Sequence, residues 1–188
     1  GHAISPVADR CAMVRLALAD APGFALSRVD ADRPGPSYSV ETLRRLRAEY
    51  GPRATLDLII GGDLLLDLPL WHDAAGVVAG ADHIVAAHRP GYAEDAARLG
   101  ELHAALPDLA AKLVMLPVIQ LEVSASAIRA RVAASLPVRY LVPDGVLAYI
   151  AEHGLYRTTD GATSEEGANH ARHAGHNVGY NVGQEAPR

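Results

Sequence analysis

The sequence predicts an α/β fold with a mostly parallel sheet. Two observations carry that expectation: short β-rich runs alternate with helical patterns, and the connections between them are brief. Composition is the third. The 188 residues are 49% hydrophobic and 21% charged, with a formal net charge of −5. That balance is globular and the length suffices for a buried core. It lacks the basic stripe expected of a nucleic-acid binder.

Taken in order, Ser5-Pro6 reads as an N-cap followed by proline at the first helical position. The helix it opens runs through VADRCAMVRLALAD and stops before Pro22-Gly23. FALSRVD, Phe24 to Asp30, alternates and predicts a short strand. ADRPGPSYS is a Pro/Gly-rich loop, with Ser39 as the expected cap of a helix over VETLRRLRAEY that ends at Gly51. Glu41 falls in the first turn of that helix, where the dipole favours an anion. TLDLII, Thr55 to Ile60, predicts a buried strand that runs straight into Gly61-Gly62-Asp63. A leucine-rich stretch and a short helix around Trp71 come next. DHIVAA predicts a strand, RPGY a turn, AEDAARLGELHAAL a helix and KLVMLPV another strand. VSASAIRARV then opens like a capped helix, and PDGVLAYIAEH predicts a final helix that closes at Gly154. From about Thr158 onward the chain is rich in Gly, Asn, His and Ser without apolar periodicity, which predicts a disordered tail over 158–188. The ordered domain expected is therefore 1–157.

Residue usage removes several alternatives. Lys112 stands against sixteen arginines, so the presence of an arginine carries little information and only its position counts. Cys11 is the single cysteine, which excludes a disulfide framework or a cysteine zinc site and fits a reducing cytoplasm. Charges, prolines or histidines interrupt every apolar run before bilayer length, so no membrane partner is expected. His170, His173 and His176 read as compositional, because ordering a floppy segment offsets what ligation contributes.

Three loops that follow strands carry unusual residues, in the place where ligands bind to open α/β sheets. Gly61-Gly62-Asp63 is a tight turn with a helix-capping aspartate, or a close backbone approach to a ligand with a carboxylate for ribose hydroxyls. In Trp71-His72 the tryptophan is a core or surface-patch residue, or a stacking platform for a planar, electron-poor ring. Ser124-Ala125-Ser126-Ala127-Ile128-Arg129 is an ordinary cap with a solvated arginine, or a phosphate site. A helix N-terminus offers unpaired N–H groups and partial positive charge, and hydroxyls and a guanidinium add donors.

RPGPSYSVETL (Arg33 to Leu43), IIGGDLLLDLPLW (Ile59 to Trp71), HRPGY (His88 to Tyr92), VSASAIR (Val123 to Arg129) and YLVPDGVLAYIAEHGLY (Tyr140 to Tyr156) occur in this order. Together they resemble bacterial nicotinate-nucleotide adenylyltransferase, of the nucleotidyltransferase superfamily, over roughly Ile4 to Arg157. The Gly-x-Asp, seven residues, Trp spacing and the closing LVPDGVLAYI…HGLY are the specific pieces. The resemblance implies a Rossmann-like nucleotidyltransferase fold and adenylyl transfer from ATP to nicotinate mononucleotide. The products would be deamido-NAD and pyrophosphate, with Mg²⁺ accompanying ATP. Ser124, Ser126 and Arg129 would hold ATP phosphates, matching the family's Ile-Ser-Ser-Thr-x-Ile-Arg; Ala125 replaces its second serine, so one hydroxyl is lost. Ser37, Tyr38, Ser39, Gly61, Gly62, Asp63, Trp71, His72 and Arg89 would serve nicotinate mononucleotide, with Trp71 stacked on the pyridine ring.

One departure is large. The family opens with a strand, a Gly-rich turn and a His-x-Gly-His motif, and no such motif occurs here. ISPVADRCAMVRLALAD instead resembles the family's second helix. The expectation is an N-terminally incomplete enzyme that lacks its catalytic histidines and is inactive as given. The alternatives are another adenylyl- or cytidylyltransferase of the superfamily, or a non-catalytic nucleotide-binding remnant. Oligomeric state is left open.

Overall fold

A computed structural model describes residues 5–88, 96–119, 121, 123–157 and 178–183. The chain divides into two compact units. One falls within Gly1–Ala31 and Leu121–Ala171, the other within Asp32–Gln120 and Arg172–Arg188.

The second of these holds the sheet. β1 (Thr55–Gly61), β2 (His83–His88) and β3 (Leu113–Pro117) are parallel neighbours in the order β3-β2-β1. The α/β expectation with a mostly parallel sheet therefore holds. Leu56, Leu58 and Ile60 of β1 and Ile84 and Ala86 of β2 are essentially fully buried. They lie with Val40, Leu43 and Leu46 of helix α2 (Ser39–Tyr50) and Val77 and Val78 of helix α4 (Ala74–Gly80) in one core. Each such Val, Leu or Ile side chain contributes roughly 1.5–3 kcal/mol by leaving water. Helix α3 (Gly62–Leu65) follows β1 without a linker, and α5 (Ala96–Ala105) leads toward β3. At the opposite end of the strands, Asp82 ties the layers together. Its Oδ2 accepts from Leu56 N–H (2.7 Å) and from Arg47 (2.6 Å), while its own N–H donates to Leu56 O (2.8 Å). Burial alone would raise the Asp82 carboxyl; the Leu56 amide and the Arg47 and Lys112 charges overcome it and hold it below the ordinary carboxylate range. Lys112, the only lysine, donates to the Val78, Ala79 and Ala81 carbonyls at the end of α4, where a cation suits the helix dipole.

In the other unit, helix α1 (Val7–Ala17) packs on α7 (Asp144–Glu152). Tyr149 Oη donates to Asp9 Oδ1 (2.9 Å), and Ser5 Oγ donates to Tyr156 Oη (2.8 Å). Helix α6 (Ala125–Ala133) belongs to this unit, and none of its residues is buried.

Four expectations are corrected. Phe24 to Asp30 forms no strand: Phe24 is 71% exposed, and Val29 N–H turns back to Ser27 Oγ (3.3 Å), a local bond that competes with a ladder. Ser39 does not cap α2; the helix begins with it, Tyr38 stands at the N-cap, and no side chain caps. Ser5 likewise leaves the N-cap place to Pro6 and spends its hydroxyl on Tyr156. Within the tail expected to be disordered, Val178–Gly183 forms strand β4, which pairs antiparallel with β1 from Thr55↔Gly183 to Ile60↔Val178. β1 has free ladder groups on that side, and a run without proline can meet them.

Candidate active site

β1 ends in Gly61, and the chain turns directly into α3 at Gly62. The two glycines answer to different neighbours. A Cβ on Gly62 would lie 3.1 Å from the Cα and Cβ of His88 and 3.3 Å from the Ala87 carbonyl, so the end of β2 abuts this backbone. A Cβ on Gly61 would come within 2.6 Å of Asp63 Oδ1. The Asp63 carboxylate thus lies back over the strand end, exposed, and makes no helix-capping bond. The capping role open to Asp63 in the sequence is therefore not taken up.

Trp71 follows a 3₁₀ turn (Leu68–Leu70) anchored by the fully buried Leu68. It is half-buried, beside a Leu70 that is 84% exposed. The short helix expected around it is that turn. His72 stacks on Tyr38 with ring centroids 4.1 Å apart and planes at 28°. This joins the Trp-His segment to the N-terminus of α2, whose first N–H groups have no side-chain cap. The Glu41 N–H bonds the Tyr38 carbonyl (3.0 Å), leaving the N–H groups of the first turn's opening residues, Ser39 and Val40, without an intrahelical acceptor. Ser37 is exposed and Ser39 half-buried. Tyr38, Ser39 and His72 therefore form one cluster of aromatic faces and outward donors. Arg89 lies outside the described residues.

Asp73 is a positioning residue that sequence reasoning missed. It adopts the left-handed region (φ 52°), caps α4 by accepting from Gly76 N–H (3.0 Å), and pairs with Arg44 (3.1 Å). Arg44 also holds Glu41. The pair ties the segment after His72 to α2. The available signal was Asp-x-x-Gly before a weakly helical AAGVVAG, in which two glycines mask a helix.

On α6, Ser124 stands at the N-cap in extended conformation, and its Oγ accepts from Ala127 N–H (3.1 Å). Ser126 Oγ lies 3.0 Å from Ser124 Oγ. One hydroxyl proton is used between the two oxygens, so the other remains to donate outward. Ile128 N–H goes to the Ser124 carbonyl (3.0 Å), and the Ala125 and Ser126 N–H groups are the helix's orphan donors. Arg129, half-buried, follows one turn later. Among the described residues, this end of α6 presents hydroxyl, amide and guanidinium donors. Such a set suits phosphate oxygens.

No family model matches the chain. It is, however, 43% identical over 157 residues to a probable nicotinate-nucleotide adenylyltransferase of Roseiflexus sp. (strain RS-1), covering 84% of this chain and 76% of that protein. Proteins of the same description from Thermomicrobium roseum (43% over 160 residues; 85% and 72%) and Salinispora arenicola (43% over 154; 82% and 77%) are similarly alike. Among the described residues no helix is long and apolar enough to cross a membrane.

Proposed function

The chain belongs to the nicotinate-nucleotide adenylyltransferase family of nucleotidyltransferases, and from that membership we propose how its residues divide the work of adenylyl transfer in NAD biosynthesis. The observation that carries the reading is the α6 terminus, where Ser124, Ser126 and Arg129 cluster hydroxyl, amide and guanidinium donors. ATP phosphates sit there, with Mg²⁺ arriving on the triphosphate as part of the substrate. The nicotinate carboxylate of the mononucleotide meets the uncapped N–H groups of Ser39 and Val40, beside Tyr38. Trp71 stacks on the pyridine ring, His72 is held in place by Tyr38, and Asp63 accepts from the ribose at the Gly61-Gly62 turn. In the reaction the mononucleotide phosphate attacks the α-phosphorus of ATP and pyrophosphate leaves. Such catalysis is largely positioning and charge neutralisation.

We further propose that the 188 residues bind both nucleotides but do not join them, because the sequence has no His-x-Gly-His. Trp71 is the only tryptophan, so its fluorescence gives a direct test. Nicotinate mononucleotide should quench it saturably, and ATP alone should leave it nearly unchanged. No response to the mononucleotide would refute the stacking role. Labelled deamido-NAD formed from labelled ATP by the purified chain would refute the inactivity and exclude a non-catalytic remnant.

A further inference from the structure

A cavity of about 580 Å³ opens at the C-terminal end of α6, within the unit that contains α1, α6 and α7. Leu136, Val138, Leu147 and Ile150 give it apolar walls, and Arg139 and Arg157 line it as well. Val138 and Ile150 are buried, at 3% and 4% exposure, so the floor is part of the unit's own core.

Among the described residues neither arginine has a hydrogen-bonded role in the fold. Arg131 does: it donates twice to the Pro137 carbonyl (3.1 and 2.8 Å) and fixes the wall. Arg139 lies over the ring of Tyr140, 5.6 Å from its centroid. Among the described residues no carboxylate pairs with Arg139 or Arg157. A helix C-terminus would ordinarily repel an anion through its bare carbonyls. Here Leu136 N–H closes on Arg131 O (2.8 Å), Ser135 N–H on Val132 O (3.0 Å) and Ala134 N–H on Ala130 O (3.0 Å). This is a Schellman closure with Ser135 in the left-handed region (φ 54°), and it leaves the two guanidinium groups to set the local charge.

We propose that this cavity binds a small amphipathic organic anion. A compact apolar body would lie against Leu136, Val138, Leu147 and Ile150, and an acidic head would take charge-assisted hydrogen bonds from Arg139 and Arg157. The volume is within the range of small-molecule sites, ~300–1,000 Å³. A nine-residue helix is about 13 Å long, so this site and Ser124 occupy opposite ends of α6. The inference stands whether or not the nucleotide reading does.

The probe is 1-anilinonaphthalene-8-sulfonate, with neutral N-phenyl-1-naphthylamine as the uncharged counterpart, titrated by fluorescence into the whole 188-residue chain. One saturable site for the sulfonate is expected. The double variant Arg139→Ala/Arg157→Ala should weaken the sulfonate at least tenfold and change the neutral amine less than twofold. Leu147→Trp, which fills the cavity, should weaken both. Absence of a saturable site, or sulfonate affinity within twofold of wild type in the double variant, overturns the proposal. The double variant alters exposed side chains only, so it decides the matter even if Leu147→Trp fails to fold.

Discussion

Ser124 and Ser126 share a hydrogen bond, yet the structure gives them separable work. Ser124 Oγ satisfies the Ala127 amide and so holds the first turn of α6; Ser126 Oγ bonds no backbone group in the described residues. An N-cap serine replaced by alanine costs about 1 kcal/mol, and by glycine only a few tenths. In α6 that figure matters, because no residue of the helix is buried to compensate. Ser124→Ala should therefore raise amide exchange across Ala125–Ala133 about fivefold, which is the equivalent of about 1 kcal/mol. Ser124→Gly should do so much less, and Ser126→Ala hardly at all. ATP affinity, measured by calorimetry, should fall in Ser124→Ala and in Ser126→Ala alike, since each removes a hydroxyl from the pair. Exchange in Ser126→Ala that matches Ser124→Ala would refute the division of labour. Unchanged ATP affinity in Ser126→Ala would remove that hydroxyl from the phosphate site.

Trp71→Ala should weaken nicotinate mononucleotide binding far more than ATP binding, and equal losses measured calorimetrically would count against stacking. Arg129→Ala should show the reverse preference. Gly62→Val pushes a branched side chain onto the His88 backbone, where even a Cβ sits at 3.1 Å; overpacking of about 1–3 kcal/mol should lower its urea midpoint. Asp82 has a folded-state pKa below its unfolded value. Its contribution is thus present above the unfolded value of about 3.9 and disappears as pH falls through the lower, folded one. Urea titrations at pH 6 and pH 2.5 should show less acid sensitivity in Asp82→Asn than in wild type; equal sensitivity would place the acid-labile charge elsewhere.

The parallel strands were legible because β1 and β2 are apolar runs of strand length bounded by turn residues, and burial on one face follows directly from their composition. Ser124 was legible as a cap for the same local reason. FALSRVD was misread because alternation describes a strand only if a neighbour supplies a ladder, and the Ser27 hydroxyl took the Val29 amide instead. Ser39 and Ser5 show the limit of cap signals: a shift of one residue moves the hydroxyl off the cap place. The stack of His72 on Tyr38 and the Asp73 cap depend on segments far apart in sequence or on a left-handed φ. No local pattern encodes the first, and glycines hid the second. β4 could not be read from VGYNVG alone, because its pairing depends on the open side of β1.

That last pairing has a temporal side. Ile60 and its partner Val178 are separated by about 120 residues, which a ribosome adding ~5–20 residues each second needs on the order of ten seconds to deliver. β2, by contrast, emerges soon after β1. A nascent chain of this sequence therefore carries one flank of its most deeply buried strand uncovered for far longer than a hairpin takes to close. Holdase contact during synthesis, and slower translation across 61–177, should affect its yield through that interval rather than through the stability of the finished fold.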